Sequence, residues 1–211
     1  MFKEKKLISF VFILLSCSTL LASHGVDLFK LVYYKSTTPE YFRLLSKGPE
    51  ALNVVDEYGE PLLHRAIGEG RIDLVRVFVD LNANLNIVDK HKNSALMDAV
   101  VEHRYLITSL LIDHGANLEQ VDSNGLTALN RAEYSNIPEM ISLLLQKGAN
   151  PRGGRTIAPL VSAAINGRLA VVKALLGAST EQDIEEAISN ARSRNYLEVA
   201  EVLEAQLNSS L

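Results

Sequence analysis

The chain has 211 residues, of which 47% are hydrophobic and 22% are charged, and its formal net charge is −4. This composition is sufficient for an ordered core, and the acidic balance argues against a nucleic-acid-binding surface, which needs clustered Lys and Arg. Cys17 is the single cysteine, so an intramolecular disulfide is excluded and packing alone must hold the fold.

The first 23 residues are predicted to be a targeting segment rather than part of the fold. Lys3, Lys5 and Lys6 give a positive start, and an apolar run follows from Leu7 to Leu15. This is the layout of a secretory signal peptide. The whole apolar stretch, Leu7 to Ala22, is shorter than the ~20 residues that a spanning helix needs, which favours export over a stable membrane span.

The cleavage position has two interpretations. Leu14-Leu15-Ser16-Cys17 resembles a bacterial lipobox, in which the Cys after a small residue becomes a lipidated N-terminus. The alternative is cleavage after Ala22 or Ser23. We favour lipidation of Cys17, and Ser18 after it then implies, by resemblance to Gram-negative sorting, the outer membrane. We expect a protein in the periplasm, or one anchored to the outer membrane and facing the periplasm.

The rest of the sequence repeats with a period of 33 residues. One triplet recurs in three nearly identical copies: Asn82-Ala83-Asn84, Gly115-Ala116-Asn117 and Gly148-Ala149-Asn150. Ala66, Ala99 and Ala132 also share one register position. A fixed period of this size indicates a stacked array in which each unit buries its apolar face against its neighbours.

Each repeat predicts the same order of elements: a turn, a short helix, a second turn and a longer apolar helix. The second turn falls at Gly70, His103, Asn136 and Gly167. The longer helix ends at Gly48, Asn82, Gly115 or Gly148. Gly, Asn and His tolerate positive φ, so both positions are predicted to be left-handed. Helices this short are unstable alone, so stacking must supply the missing burial.

These residues resemble the ankyrin repeat, whose pattern runs D-x-x-G-x-T-P-L-H-x-A-A, a turn, V-V-x-x-L-L and G-A. The matching segments are Gly59–Ala66, Asn93–Ala99, Gly125–Ala132 and Ala158–Ala164. The resemblance implies an all-α solenoid of stacked helix-turn-helix units with short hairpin loops. No copy keeps the whole T-P-L-H tetrapeptide: Thr127 has the hydroxyl and His64 has the ring. The hydrogen bonds that these side chains make in the family are therefore expected to be incomplete.

The predicted organisation accounts for nearly the whole chain after the targeting segment. Its parts are the targeting segment at 1–23, an N-terminal capping repeat at 26–55, repeats at 56–88, 89–121 and 122–152, a shortened repeat at 153–180 and a C-terminal capping repeat at 181–211. In the last unit the glycine of the turn is lost and charged residues are added, which is typical of a polar cap.

Catalysis and metal binding find no support in the sequence. It has no G-x-S-x-G, Walker-type loop or dinucleotide fingerprint, and Cys17 lies in the targeting segment. The five His residues lack metal-ligand spacing such as H-x-x-x-H. The repeat register explains His64 and His103 as scaffold, and Gly153-Gly154 is interpreted as a contracted loop. We predict no enzyme activity, no metal and no cofactor.

Partner binding is predicted at the positions that the repeat leaves variable. In the ankyrin family, partners usually contact the hairpin tips and the outward side of the first helices, which line a concave face. The corresponding residues are Tyr58, His91 and Asn124 at the tips, Arg65, Asp98, Arg131 and Ser162 on the first helices, and Tyr134 one turn on. Any one of these residues is explained by the solvent-exposed face that every helix has. That explanation is weaker for the whole set, because a solenoid aligns these positions in a row. Tyr and Arg are also typical of hot spots.

The resulting hypothesis is an exported protein-protein interaction module of the bacterial envelope, without chemistry of its own. Its sharper form is an immunity or inhibitor protein that plugs an envelope-acting toxin. The alternatives are a structural or stress-protective periplasmic scaffold for an envelope enzyme, and a secreted effector directed at a eukaryotic host. We expect a monomer that binds another protein and touches the membrane only through an N-terminal lipid.

Overall fold

The computed structural model describes residues 52–53, 55, 58–154 and 156–209. The predictions for the targeting segment, for Cys17 and for most of the N-terminal cap lie outside the described residues. Within the described ranges, all regular secondary structure is helical, and β-structure is limited to two isolated bridges. None of the helices in these ranges has the length and apolar content needed to cross a membrane.

The chain divides between Ile87 and Val88 into two compact units. The first unit contains one described helix pair, α1 (Leu62–Gly68) and α2 (Ile72–Asp80). In the second unit the described helices form four pairs: α3 (Ala95–Val101) with α4 (Tyr105–Asp113), α5 (Ala128–Tyr134) with α6 (Pro138–Gln146), α7 (Pro159–Ile165) with α8 (Leu169–Leu175), and α9 (Glu181–Ser193) with α10 (Leu197–Ser209). A short 3-10 turn, Leu176–Ala178, follows α8.

The helix pairs of the second unit stack on one another. Among the first helices, α3 packs on α5, α5 on α7 and α7 on α9; among the second helices, α6 packs on α8 and α8 on α10. The apolar residues between the layers are fully buried, including Leu96, Leu111, Leu129, Met140 and Leu160. Since such short helices gain little from intrinsic propensity, this burial between neighbours stabilises them. The predicted all-α stack of paired helices is confirmed.

The predicted left-handed turns are confirmed at each described position. Between the two helices of a pair, φ is +67° at Gly70, +56° at His103, +57° at Asn136 and +67° at Gly167. After the second helix, φ is +51° at Asn82, +91° at Gly115 and +93° at Gly148. Between the two helices of the last pair there is no glycine, and Asn195 adopts the left-handed conformation with φ +63°. Asn is one of the few other residues that enter this region readily.

Two copies keep side-chain hydrogen bonds between the helix start and a loop, but to different extents. The Thr127 Oγ1 caps α5, accepting from the Asn130 N–H at 3.3 Å and donating to Asn130 Oδ1 at 3.0 Å. Asn130 Oδ1 also accepts from the Gly154 N–H in the next loop at 3.3 Å. In the first unit, His64 Nε2 lies 2.9 Å from the Ile87 carbonyl oxygen. The expectation of incomplete bonding is therefore wrong for the Thr127 copy, where Asn130 replaces the histidine ring. It is confirmed for the His64 copy, because Pro61 at the start of α1 supplies no side-chain cap.

Candidate functional site

A cleft of about 180 Å³ opens between α5 and α7 in the second unit. Its lining residues are Asn130, Glu133, Tyr134, Ile157, Pro159, Ser162 and Ile165. We call it the α5–α7 cleft. Tyr134 and Ile157 are each 50% exposed, whereas Asn130 and Glu133 are buried. The cleft therefore has apolar side chains at its edge and polar side chains beneath them.

A buried ion pair fixes the floor of the α5–α7 cleft. Glu133 Oε1 accepts from Arg168 Nη1 at 2.7 Å, and Glu133 Oε2 accepts from Ser162 Oγ at 3.2 Å. The same Arg168 nitrogen donates to the Glu133 carbonyl oxygen at 2.6 Å. A buried carboxylate is costly unless it is paired and hydrogen-bonded, and here both of its oxygens have partners. The floor is thus satisfied without a ligand.

A second polar cluster joins the hairpin before α3 to the hairpin before α5. Arg131 Nη2 donates to Asn93 Oδ1 at 2.8 Å and to the carboxylate of the buried Asp122. Asp122 Oδ1 also accepts the N–H groups of Asn124, at 2.7 Å, and Leu126, at 3.0 Å. Burial raises the pKa of Asp122, but the hydrogen bonds from Leu126, Asn124 and Arg131 and the charge of Arg131 outweigh it, so the pKa lies below its ordinary value. Arg131 therefore has a structural role in the hairpins.

Two hairpin tips of the second unit are linked through the backbone. The Ser123 N–H donates to the His91 carbonyl oxygen at 3.0 Å. The residues predicted as contacts at these tips, His91 and Asn124, are both exposed. The repeat register thus places them on neighbouring tips.

The remaining predicted contact residues belong to neither the cleft nor the two linked hairpin tips, and they are described here unit by unit. In the first unit, Tyr58 is 66% exposed and Arg65 forms a 2.8 Å ion pair with Glu60. In the second unit, Asp98 is half-buried on α3. No group of three or more metal-ligating side chains is found in the described part of the chain.

Of the predicted residues, the α5–α7 cleft brings together Tyr134 and Ser162. The Ser162 hydroxyl donates a hydrogen bond to the buried Glu133 carboxylate, which is a structural role. Its contact with a partner stays a prediction. The repeat register did not indicate Glu133, Ile157 and Ile165 as site residues, although they line the cleft. The sequence shows Ile157 as an apolar residue in the loop before α7, but the shortened loop removes the register that would place its side chain.

Helix pairs joined by hairpins and stacked in two layers define a repeat protein. The model of a family described as ankyrin repeats (3 copies) matches residues 28–122 and 102–188, well over half of the chain. The chain therefore belongs to the ankyrin-repeat family. Ankyrin-repeat domains are typically non-catalytic modules that bind other proteins.

A solved structure with the same fold is the crystal structure of the ankyrin repeat domain of Bcl-3, described as a unique member of the IkappaB protein family. The TM-score is 0.76 and the sequence identity is 24%, over 87% of each chain. At this identity the likeness concerns the fold alone. No curated protein sequence matches the chain.

Proposed function

We propose that the chain is a non-catalytic protein-binding module whose second unit holds its partner at the α5–α7 cleft, with Tyr134 as the main anchor. The observation that carries this proposal is a half-exposed Tyr134 at the edge of a cleft whose floor is fixed by the Glu133–Arg168 pair. Tyr supplies a large contact area with few rotatable bonds, which makes it frequent among hot spots. A preorganised floor also reduces the entropy lost on binding.

The neighbouring first helices extend this surface. Val101, one repeat before Tyr134, is 39% exposed, and Ile165 follows on α7. Because α3, α5 and α7 pack side by side, the three apolar side chains lie along one row. Val101 and Tyr134 are exposed and Ile165 is half-buried, and a row of apolar side chains that reaches solvent marks an interaction surface. The tips at His91 and Asn124 and the polar residues Asp98, Arg131 and Ser162 complete the proposed contact set.

The cellular location is proposed from the sequence: export, with Cys17 as a lipid attachment site. The intact mass of the mature protein distinguishes acylation at Cys17 from cleavage near Ser23, and Cys17→Ser abolishes acylation. On this proposal the partner is an envelope protein, and its sharper form is inhibition of a toxic enzyme. Killing of cells that lack the chain, reversed by supplying it, supports that form; an absence of self-poisoning in every tested condition counts against it.

The binding surface is tested by site-specific photocrosslinking in the native cells. A photoreactive phenylalanine analogue is placed at position 134, and as a control at Lys173, which is exposed on the second-helix layer at α8. We expect a crosslinked partner from position 134 and none from position 173. Tyr134→Ala should then abolish capture of that partner, whereas Tyr105→Ala, at a tyrosine that is 38% exposed at the start of α4, should leave it unchanged. Equal capture by Tyr134→Ala, with an unaltered circular dichroism spectrum, refutes the site.

A further inference from the structure

We propose that the segment bound by the α5–α7 cleft carries one large apolar side chain flanked by Lys or Arg residues. This inference rests on the proposed function and specifies the chemistry of the partner. It follows from two properties of the second unit: what the cleft offers to a side chain, and which charges lie on the helices next to it.

The cleft accepts one apolar side chain. Its edge is formed by Tyr134, Ile157 and Ile165, and its volume of about 180 Å³ is below the range of small-molecule pockets. The polar groups of the floor are already occupied, because Glu133 is bonded to Arg168 and Ser162. An apolar group that displaces water there leaves the Glu133 carboxylate and the Ser162 hydroxyl with their partners, so the usual penalty for burying these polar groups is avoided.

Most arginines near the cleft are paired with acids within the fold, and Arg194 at the end of α9 is an exposed exception. Four ion pairs involve the others: Arg131 with Asp122, Arg152 with Asp183, Arg168 with Glu133 and Arg192 with Glu204. The exposed lysines Lys90 and Lys92 lie on the hairpin before α3 rather than on the first helices. In the described first helices of the second unit, Arg194 is thus one unpaired cation, against the several exposed acids described next.

Acidic side chains lie on both neighbours of the cleft. Glu102 ends α3, which packs on α5, and Glu185 and Glu186 lie on α9, which packs on α7. All three are exposed and, among the described residues, none forms an ion pair. Packed helices lie ~8–10 Å apart, which is within the Debye length of ~10 Å at 0.1 M salt. These carboxylates therefore favour cationic groups on the parts of a bound segment that extend from the cleft over α3 and α9.

The aromatic ring at the edge of the cleft adds to this preference. The face of a tyrosine ring is attractive to Lys and Arg, and Tyr134 is half exposed. An acidic segment would instead be repelled from both sides, which is how charge patterns exclude wrong partners. An apolar anchor with cationic flanks is thus the occupant that matches both the cleft and its surroundings.

The test selects short peptides from an unbiased random display library on the immobilised full chain and measures their affinities as synthetic peptides. We expect a large apolar residue with Lys or Arg on each side. Tyr134→Ala and the double variant Glu102→Lys/Glu185→Lys should each weaken binding about tenfold or more at low salt, and the charge effect should shrink in high salt. The matched control, Glu139→Lys/Glu201→Lys, reverses two exposed acids of the second-helix layer and should leave affinity unchanged.

The outcomes separate this inference from the proposed function. Peptides that need Tyr134 but are neutral or acidic, or that are insensitive to Glu102→Lys/Glu185→Lys, overturn the inference and leave the cleft as the binding site. Tyr134-dependent self-association of the chain in sedimentation measurements also overturns it, because the occupant is then a second copy. Peptides that are insensitive to Tyr134→Ala, or a library that gives no binder, overturn the proposed function and the inference together.

Discussion

Glu133 and Arg168 are 35 residues apart in sequence, and their side chains meet at 2.7 Å beneath the α5–α7 cleft. Glu133 belongs to α5, and Arg168 is the residue immediately before α8. The pair therefore joins two consecutive helix pairs. Because the same contact forms the floor of the candidate site, the shape of the site depends on the stacking of its neighbours.

The first prediction is that Arg168→Met destabilises the second unit. It leaves the carboxylate of Glu133, 1% exposed, without its cation. Breaking a buried pair costs about 3–5 kcal/mol, and since the Arg168 side chain is 25% exposed we expect about 2–4 kcal/mol. Urea unfolding measures the change in the free energy of unfolding. Adding Glu133→Gln should recover part of the loss.

The control for this prediction is Arg194→Met. Arg194 is exposed at the end of α9 and, within the described residues, forms no ion pair. We expect a change within about 0.5 kcal/mol. Equal losses for the two Arg→Met variants would mean that the buried pair contributes nothing specific.

The fold was predictable from sequence because its signals are local and periodic. Asn136 and Gly167 were assigned to left-handed turns from their residue type and register alone, and both have positive φ. Asn195 shows that a left-handed turn can be missed when only glycines are used to locate it. It lies at the same turn of the last pair, where the sequence suggested a loss, and its amide side chain tolerates the conformation that the fold imposes.

The candidate site was predictable only in part, because it depends on tertiary contacts. The register of the repeat predicts Tyr134 as a contact residue. It does not predict Ile157, because the hairpin before α7 is shortened and the periodic alignment no longer places its side chains. The Glu133–Arg168 pair spans consecutive helix pairs, and no local pattern indicates which acid will meet which base. Likewise, the repeat register places Arg131 among the variable surface positions, and only the tertiary structure brings it to Asp122.

The second prediction concerns the pH dependence of stability through Asp122. Its pKa in the folded chain is below the ordinary value, so its contribution is present above the unfolded pKa of about 3.9 and is lost as the pH falls through the folded pKa. Asp122→Asn should cost about 1–3 kcal/mol at neutral pH. It should also flatten the decline in the free energy of unfolding below about pH 4.

The comparison for Asp122 is Asp113→Asn. Lys147 lowers the pKa of Asp113 through a 2.5 Å ion pair, but that pair is exposed to solvent. Exposed pairs are screened and contribute little. Urea unfolding at a series of pH values should therefore show a smaller change for Asp113→Asn than for Asp122→Asn; the reverse order would contradict the assignment.

The third prediction is that Gly153→Ala destabilises the hairpin before α7. Gly153 has φ +59°, and a Cβ there would lie 2.5 Å from Asn130 Nδ2. The left-handed conformation alone costs about 1–2 kcal/mol for Ala, and displacement of Asn130 would also break its bond to Gly154. Gly177→Ala, where a Cβ meets no atom within 4 Å, is the matched control. Thermal unfolding should show a lower midpoint for Gly153→Ala only.

The fourth prediction is that Thr108→Val stabilises the second unit. Thr108 is fully buried on α4, and its hydroxyl has no hydrogen-bond partner in the described structure. Replacing the hydroxyl by a methyl group keeps the branched shape and removes an unpaired polar atom, so we expect a gain of about 1 kcal/mol in the free energy of unfolding.

Thr108→Ser separates the two groups on the same Cβ. It keeps the hydroxyl and deletes the methyl, so we expect a loss of about 1 kcal/mol from reduced apolar burial. Urea unfolding of the three proteins should therefore rank them Val, Thr, Ser in decreasing stability. A lower stability of Thr108→Val would contradict this prediction. It would show that the hydroxyl is hydrogen-bonded in solution, for instance to a buried water, because removing an unpaired hydroxyl breaks no hydrogen bond.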